Sequence, residues 1–300
     1  MKFFIMGGTG LIGRNLASYL LSQDHEVLIL TREGSEHKIN KGVIPVFGSG
    51  LKPGKWQEKA AECDTFINLL GKNIFCRWTP KAKKQILETR TVSTQMAVQA
   101  LSERKKPAVF ICANAVGYYG DRGDEPVDES ASPGNDFLAR VCIDWQKEAL
   151  KAEALGHRVL VTRFAAVLAP GAGALDKMLP AFKWGVGGRL GSGKQWFPWV
   201  HIQDLMRALS FLALSPQISG IYNICSPEQV TNAEFTKTLA SVLNRPAVLP
   251  LPAFMLRLIL GELGSMLLSS QKCLPSGLSS LGFSFKFPDL KKALNDLIQN

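Results

Sequence analysis

The sequence is poor in tyrosine and histidine, with four of each among its 300 residues. Its six cysteines form no Cys-x-x-Cys pair and lie mostly in apolar segments, so we expect reduced, buried thiols and no metal site. A run of ~18 apolar residues, which a membrane-spanning helix requires, does not occur. The first apolar run ends at Met6, too early for a signal-peptide core. These absences predict a cytoplasmic protein that contacts no membrane.

The composition is that of an ordinary globular protein, with 46% hydrophobic and 20% charged residues. This balance excludes a disordered chain, a collagen and a coiled coil. The net charge of +10 favours anionic partners. The basic residues are scattered, however, and their densest runs, residues 81–84 and 104–106, fall in helix-like stretches that indicate solvated faces. We therefore predict a small-molecule substrate and no nucleic acid.

Short apolar runs alternate with segments of helical periodicity over the first half of the chain. The expected strands are residues 3–6, 27–30, 66–70, 109–112 and 159–162, and the expected helices are residues 11–21, 80–102 and 137–155. This alternation is typical of a parallel, doubly wound α/β sheet.

The composition changes after about residue 165, where glycine and proline become more frequent. Helical patterns return at residues 203–214, 231–243 and 253–268, and residues 220–225 form a short expected strand. We predict a nucleotide-binding lobe made of residues 1–165 and 200–225. A smaller, interleaved substrate lobe would comprise residues 166–199 and 226–300.

A glycine-rich loop joins the first expected strand to the first helix. Gly7, Gly10 and Gly13 have the spacing GxxGxxG, in which the first glycine makes the turn, the second admits a pyrophosphate and the third lets the helix pack on the strand. The N–H groups at the start of the helix would face the phosphates. The position between a strand and a helix makes this motif a strong indication of a dinucleotide site.

The end of the second strand carries Thr31 and Arg32, where NAD-binding proteins of this kind place an acidic residue. No carboxylate lies at the strand end itself, although Glu33 follows. An arginine can pair with a 2′-phosphate through two hydrogen bonds, so the sequence favours NADP(H). The alternative is a surface arginine and a site that accepts either cofactor.

Three motifs carry a resemblance to a known family: GGTGLIG at the N-terminus, NLLG at residues 68–71 and AVGYYG at residues 115–120. With them the chain resembles the extended short-chain dehydrogenases/reductases, and more narrowly their nucleoside-diphosphate-sugar epimerase-like members called epimerase family proteins. Residues around 248–296 resemble that family's own C-terminal domain. Further matching residues occur along the whole chain: residues 77–79, 90, 137–139, 145, 163, 191–205, 231–235, 245, 246, 250 and 252.

The resemblance implies a Rossmann lobe that holds NADP(H). By position, the pyrophosphate would meet the glycine loop and the 2′-phosphate would meet Arg32, while the residues after the fourth strand would line the ribose. The cofactor-binding residues implied in this way are Gly7, Thr9, Gly10, Leu11, Ile12, Gly13, Thr31, Arg32, Leu69, Leu70, Gly71, Ala113 and Arg163. For Arg163 a structural ion pair is the alternative.

The catalytic pattern of that family is missing. Its ordinary members use Tyr-x-x-x-Lys on one helix, but Gln23, Arg122, Gly123 and Ser226 stand four residues after the four tyrosines here. The helix that the resemblance expects to carry this motif begins at Phe137 and has no tyrosine. Asn114 occupies the position that is usually serine. Its amide could polarise a carbonyl but is a poor proton relay. The remaining catalytic candidates are Asn114, Tyr118 and His201, and the alternative for Tyr118 is a packing role with its hydroxyl in water.

Two functions are compatible with these residues. The first is an NADP(H)-dependent, epimerase-like oxidoreductase that acts on a small polar substrate, phosphorylated or a sugar nucleotide. The second is a non-catalytic NADP(H)-binding protein with a regulatory or scaffold role, for example in cell division. The sequence leaves the substrate open, and the expected state is a monomer or a homodimer.

Overall fold

The computed structural model describes residues 1–299. Eleven strands occur in this part of the chain: β1 (Lys2–Met6), β2 (Glu26–Thr31), β3 (Ile44–Phe47), β4 (Thr65–Asn68), β5 (Val109–Ala115), β6 (Pro126–Val127), β7 (Arg158–Phe164), β8 (Ala166–Ala169), β9 (Trp199–His201), β10 (Gly220–Ile224) and β11 (Lys272–Cys273). The α-helices are α1 (Leu11–Leu21), α2 (Trp56–Ala61), α3 (Pro80–Ser102), α4 (Phe137–Leu150), α5 (Gly173–Lys183), α6 (Ile202–Leu214), α7 (Asn232–Leu243), α8 (Ala253–Leu260), α9 (Glu262–Leu267), α10 (Ser276–Ser280) and α11 (Leu290–Gln299).

The central sheet has seven parallel strands in the order β10-β7-β5-β4-β1-β2-β3. This confirms the predicted doubly wound α/β fold. Strand β1 lies between β2 and β4, so the chain leaves the centre of the sheet in both directions. The crevice at such a switch point, outside the carboxyl ends of the strands, is where ligands bind in this architecture. The loops after β1 and β4 therefore define the place to look for a site.

The middle of the sheet is buried on both faces. All of Phe3, Phe4, Ile5 and Met6 in β1 are 0% exposed, so both faces of the strand are covered. On one face Phe4 stacks on Trp56 of α2. Burying each such side chain contributes about 1.5–3 kcal/mol. This explains why the strand is a continuous apolar run in the sequence rather than an alternating one.

A buried carboxylate on α6 holds the chain segment that precedes α11. The Oδ1 atom of Asp204 accepts a hydrogen bond from the Lys286 backbone N–H at 2.7 Å, and its Oδ2 atom accepts one from the Phe287 N–H at 2.8 Å. Arg207 on the same helix donates to Asp204 at 3.1 Å. The segment before α11 is thus fixed to the helix that follows β9. The predicted division into two lobes stays a prediction.

No helix within residues 1–299 is both long and apolar enough to cross a membrane.

His157 is buried between two backbone segments that fix its neutral form. Its Nδ1 atom accepts from the Ala108 N–H at 3.1 Å, and its Nε2 atom faces the Leu101 carbonyl at 3.0 Å and donates to it. Burial lowers the pKa of His157 from its usual 6.5, the hydrogen bond to Leu101 opposes this shift, and Arg104 adds to it. A proton on Nδ1 would break the bond from Ala108.

We expect this histidine to make the protein less stable in mild acid. Because the unfolded chain binds the proton more readily, its contribution to the free energy of unfolding is complete above pH 6.5 and is lost as the pH falls below that value. Urea unfolding at several pH values between neutrality and mild acid should show a smaller loss in His157→Gln, whose amide can keep both hydrogen bonds. His37→Gln, at an exposed position, serves as the control and should leave the loss unchanged. An equal pH dependence in both variants would contradict this assignment.

Candidate functional site

Two glycines of the loop after β1 are required by the fold itself. Gly7 has a φ of +78°, and a Cβ there would lie 2.9 Å from the backbone of Leu69. A Cβ on Gly13 would lie 2.5 Å from the Gly7 carbonyl oxygen and from the Gly8 Cα. The first glycine therefore allows the turn and the approach to β4, and the third lets α1 pack onto the loop, as the motif predicts.

Gly10 differs from these two glycines, because packing within the protein does not require a glycine at this position. It is exposed, and its added Cβ would meet only the Gly7 carbonyl oxygen, at 3.3 Å. It precedes α1, whose first turn has no acidic residue and no side-chain cap. The free N–H groups and the positive end of the helix dipole therefore face open space. A side chain at position 10 would enter this space.

The segment after β4 lies directly against this loop. The Leu69 N–H donates to the Met6 carbonyl at 2.9 Å, and the Leu70 N–H donates to Asn68 Oδ1 at 3.1 Å. Leu69 and Leu70 are partly buried and Gly71 is exposed. The structure thus brings the predicted pyrophosphate and ribose segments together at one crevice. Thr9, Leu11 and Ile12 are partly buried beside it.

Arg32 stands at the end of β2, exposed to solvent, directly after the buried Thr31. The salt bridges formed within residues 1–299 do not include it. Its guanidinium has all its donors available for a ligand, and the strand end itself carries no carboxylate.

A third segment of the crevice was missed in the sequence. The Gly48 N–H donates to the Thr31 carbonyl at 2.9 Å, which places residues 48–50 beside the end of β2. A Cβ on Gly50 would lie 2.6 Å from the Met6 Cε and 2.7 Å from the Leu70 Cδ1. The Gly-Ser-Gly that follows the apolar residues of β3 was the available signal.

Asn114 is enclosed rather than open to the crevice. It is 2% exposed, its Nδ2 donates to the Cys142 carbonyl at 2.9 Å, and its Oδ1 accepts from the Ala115 N–H at 2.8 Å. Both ends of the amide are engaged within the protein. This geometry corrects the expectation that Asn114 polarises a substrate carbonyl. Its neighbour Ala113 is also buried, at 4% exposure.

Arg163 lies in the core, opposite Asn114 of β5 in the sheet register, and is 1% exposed. Its Nη1 donates to the Tyr119 hydroxyl at 2.8 Å and its Nη2 donates to Gln146 Oε1 at 2.9 Å. Its guanidinium carbon lies 3.5 Å from the ring centroid of Tyr118. Because Arg163 is buried, it is not accessible to a cofactor phosphate. Its partners are phenols and an amide, so it does not form the alternative, an ion pair with a carboxylate.

Tyr118 is the catalytic candidate that the structure leaves accessible. It is partly exposed, and its ring packs on the Arg163 guanidinium and edge-on against Tyr119. Within residues 1–299 its hydroxyl forms none of the hydrogen bonds, so it is available to a ligand. By contrast, the Tyr119 hydroxyl bonds to Arg163 and Asn223, and burial raises the pKa of Tyr119 well above its usual value, a shift that the Arg163 charge opposes.

His201 has a structural role. Its Nδ1 accepts from the Gln203 N–H at 3.1 Å and so caps α6, and its Nε2 lies 3.3 Å from Asp296 Oδ2. The ring is 1% exposed and stacks on Phe287 with centroids 3.9 Å apart. Burial lowers the pKa of His201, while Asp296 and Asp204 oppose the shift. Neither ring nitrogen is directed to a ligand, which corrects its candidacy as a catalytic acid.

A second feature missed in the sequence lies where α3, α4 and α9 meet. Phe137 begins α4, the helix on which the family resemblance expects Tyr-x-x-x-Lys, and its ring packs edge-on against Trp78 at 5.1 Å. The Nζ atom of Lys83 lies 5.0 Å from the Phe137 ring centroid and bonds both carboxylate oxygens of Glu262 at 2.5 and 2.6 Å. This contact joins α9 to α3 across 179 residues of sequence, and no local pattern in the sequence indicates it.

The six cysteines are free, and all except the half-buried Cys76 are buried. Burial raises the pKa of the Cys112 and Cys142 thiols to about 12, so neither is a thiolate at neutral pH. No group of three His, Cys, Asp or Glu side chains within residues 1–299 could hold a metal ion.

Comparison with known families gives two matches. The NAD dependent epimerase/dehydratase family matches residues 3–225, and a domain of unknown function (DUF1731) matches residues 251–297. Among curated proteins, an epimerase family protein of Staphylococcus haemolyticus is 38% identical over 302 residues, covering 99% of both chains. A chloroplastic homologue of the epimerase family protein SDR39U1 from Arabidopsis thaliana is 36% identical and covers 100% of this chain and 87% of its own.

Solved structures show the same fold. The crystal structure of the human epimerase family protein SDR39U1 with NADPH has a TM-score of 0.88 and 30% identity, and the match covers 100% of both chains. A UDP-glucuronic acid 4-epimerase from Bacillus cereus, solved with UDP-glucuronic acid and NAD, has a TM-score of 0.81 at 17% identity, over 100% of this chain and 99% of its own. At that identity the likeness concerns the fold alone.

Proposed function

The chain belongs to the NAD dependent epimerase/dehydratase family, and from this premise we propose that it binds NADP(H) across the glycine loop and prefers it to NAD(H). One observation carries the preference: Arg32 is exposed and outside every salt bridge within residues 1–299, at a strand end without a carboxylate. The human relative solved with NADPH supports the same choice.

The chain's own residues would hold the nucleotide in three places. The N–H groups at the start of α1, beside Gly10, would bind the pyrophosphate. Arg32 would pair with the 2′-phosphate in bidentate geometry, which an ammonium group does not match. Leu69, Leu70 and Gly71 would cover the ribose side of the crevice, since they lie against the glycine loop.

The preference is testable with one charge reversal. We expect Arg32→Asp to weaken NADPH binding about 10- to 100-fold, because a hydrogen bond to a charged group contributes about 1.5–3 kcal/mol. The new carboxylate can accept from the 2′-hydroxyl of NADH, so the order of the two affinities should reverse. Isothermal titration with both cofactors measures this.

The matched control is Lys41→Asp, which makes the same change of charge at an exposed residue between β2 and β3. It should alter both affinities by only the small, salt-screened effect of a distant charge. A variant at position 32 that keeps the wild-type preference would show that the 2′-phosphate binds elsewhere.

For activity, we propose an epimerase-like oxidoreductase with a small polar substrate, phosphorylated or a sugar nucleotide. The bound cofactor supplies hydride transfer. Tyr118 would hold or release the substrate proton, since its hydroxyl is the available one beside the crevice end of β5. Arg189 and Lys194, both exposed in the glycine-rich loop before β9, are the cations that would meet an anionic substrate.

The second candidate function is non-catalytic binding, and the helix α4 favours it. Phe137 is packed against Trp78 where a catalytic tyrosine helix is expected, and the amide of Asn114 is locked in the core. Such a protein would report NADP(H) to a partner. The free thiols support a reducing compartment, and we propose the cytoplasm for either function.

A further inference from the structure

Arg90 is a partly buried residue of α3 whose guanidinium is held along one edge only. Its Nη1 atom donates to the backbone carbonyls of Lys72 and Ile86, at 3.1 and 3.0 Å. Its Nε and Nη2 atoms form none of the hydrogen bonds within residues 1–299. The edge that carries these two nitrogens is therefore available to a ligand.

Gly71 places this edge at the crevice. An added Cβ on Gly71 would lie 3.0 Å from the Arg90 Cζ, 3.2 Å from its Nη2 and 3.3 Å from its Nε. Gly71 itself is exposed, at the end of the segment that lies against the glycine loop. The Arg90 Cζ also lies 5.2 Å from the ring centroid of Trp145, a buried residue of α4. The guanidinium thus contacts both α4 and the crevice segment after β4.

The charge of Arg90 is desolvated without a carboxylate partner in the salt bridges within residues 1–299. The nearest acidic residue in sequence, Glu88, is exposed and pairs with Lys84 at 3.6 Å. Residues 68–75, which include the segment against the guanidinium, contain no aspartate or glutamate. Burial lowers the pKa of Arg90, and Cys142 opposes this shift. The guanidinium has lost water without gaining an anion, and a ligand can supply the missing acceptors.

The order of the strands indicates which part of the cofactor reaches Arg90. Strands β2, β1 and β4 are neighbours in the sheet, so Arg32, the glycine loop and Gly71 follow one another along its carboxyl edge. In the proposed binding mode the 2′-phosphate lies at Arg32 and the pyrophosphate lies at the glycine loop. The second ribose, which carries the nicotinamide, would then lie at Gly71.

We propose that Arg90 binds the nicotinamide-bearing ribose of NADP(H) through its Nε and Nη2 donors. This inference rests on the proposed function, because the direction of the nucleotide is taken from Arg32 and the glycine loop. Two parallel N–H groups on one edge of a planar guanidinium match the hydroxyl oxygens on adjacent carbons of a ribose. The bonds from Nη1 fix the plane of the guanidinium in advance, so that little side-chain freedom is lost on binding.

Isothermal titration with two nucleotides tests the proposal. NADPH contains the second ribose, whereas 2′,5′-ADP carries the 2′-phosphate and one phosphate of the pyrophosphate but lacks that ribose. Arg90→Gln should bind NADPH about tenfold more weakly, because hydrogen bonds from a charged donor are lost. The same variant should bind 2′,5′-ADP like the wild type, which also shows that its fold is kept. Arg32→Asp should weaken the binding of both nucleotides, since both contain the 2′-phosphate.

Arg158→Gln is the matched control. Arg158 is also partly buried and donates to three backbone carbonyls, but it begins β7 and so lies at the amino end of the sheet, away from the crevice. This variant should keep both affinities. If Arg90→Gln does not fold, Arg90→Lys replaces it, since it keeps the charge but not the two parallel donors, and NADPH binding should again weaken selectively.

Three results would overturn the proposal. NADPH binding of wild-type strength in the variants at position 90 would show that the arginine does not contact the cofactor. Equal weakening of NADPH and 2′,5′-ADP would show that Arg90 only supports the loop. A wild-type protein that binds neither nucleotide would refute the proposed function itself, and this inference with it.

Discussion

Gly10→Val should abolish the thermal shift that NADPH gives the wild-type protein. A ligand at about 100 times its dissociation constant stabilises the fold by ~2.7 kcal/mol, and the variant should gain nothing. The valine side chain would occupy the space before α1, where an added Cβ meets only the Gly7 carbonyl oxygen, at 3.3 Å. Because that position is exposed, the variant should still fold. Thermal unfolding with and without NADPH measures the effect.

Two variants in the same helix separate binding from folding. Ser18→Val places the same β-branched side chain on the exposed face of α1 and should keep the full NADPH shift. Gly13→Val should destabilise the protein even without ligand, because its Cβ would lie 2.5 Å from the backbone of the loop. If Gly10→Val retained the wild-type shift, the glycine loop would not be the site.

Conventional alcohol or sugar dehydrogenase activity should be very low over a broad panel of carbonyl compounds and sugar nucleotides. A positioned proton donor contributes about 10²–10⁴ in rate, and the chain has no Tyr-x-x-x-Lys to supply one. Any NADPH-dependent turnover should fall by about this factor in Tyr118→Phe. This variant removes the hydroxyl and leaves the ring that packs on Arg163.

Tyr222→Phe is the matched control for that experiment. Its hydroxyl donates to the Ser219 carbonyl at 3.1 Å, beyond the amino end of β10 and so away from the crevice, and its loss should not change turnover. An NADPH shift of wild-type size in Tyr118→Phe shows that cofactor binding is kept. Brisk NADPH oxidation that Tyr118→Phe leaves unchanged would contradict the proposed role. No turnover at all with every compound would instead favour the non-catalytic alternative.

The sheet could be predicted where burial is complete on both faces. The apolar runs in β1, β2, β5 and β7 are continuous, so each of these strands could be located in the sequence as an unbroken apolar run. Strand β3 was not predicted, because it lies at an edge of the sheet and Pro45 interrupts its apolar residues. Three of its four residues are exposed. The predicted helix over residues 253–268 is two helices, since Gly261, with a φ of +60°, interrupts it.

The site could be predicted only where its signal is local. The glycine loop and Arg32 occupy short motifs whose place in a strand–loop–helix unit follows from the sequence. The environments of Arg163 and His201 depend on Tyr119 and Asp296, 44 and 95 residues away, and no spacing rule brings these together. Arg163 and His201 lie near strand ends, which suggested ligand-binding roles, but residues distant in sequence enclose both side chains. The contact of Lys83 with Glu262 is hidden from sequence for the same reason.

Arg32 and the glycine loop together would form the site for NADP(H). Isothermal titration of the wild-type protein with NADPH and with NADH, at one salt concentration, is the sharpest test of this site. We expect one site per chain and NADPH binding at least several-fold tighter, from the additional charge-assisted pair with the 2′-phosphate. Equal affinities for the two nucleotides, or tighter binding of NADH, would contradict it.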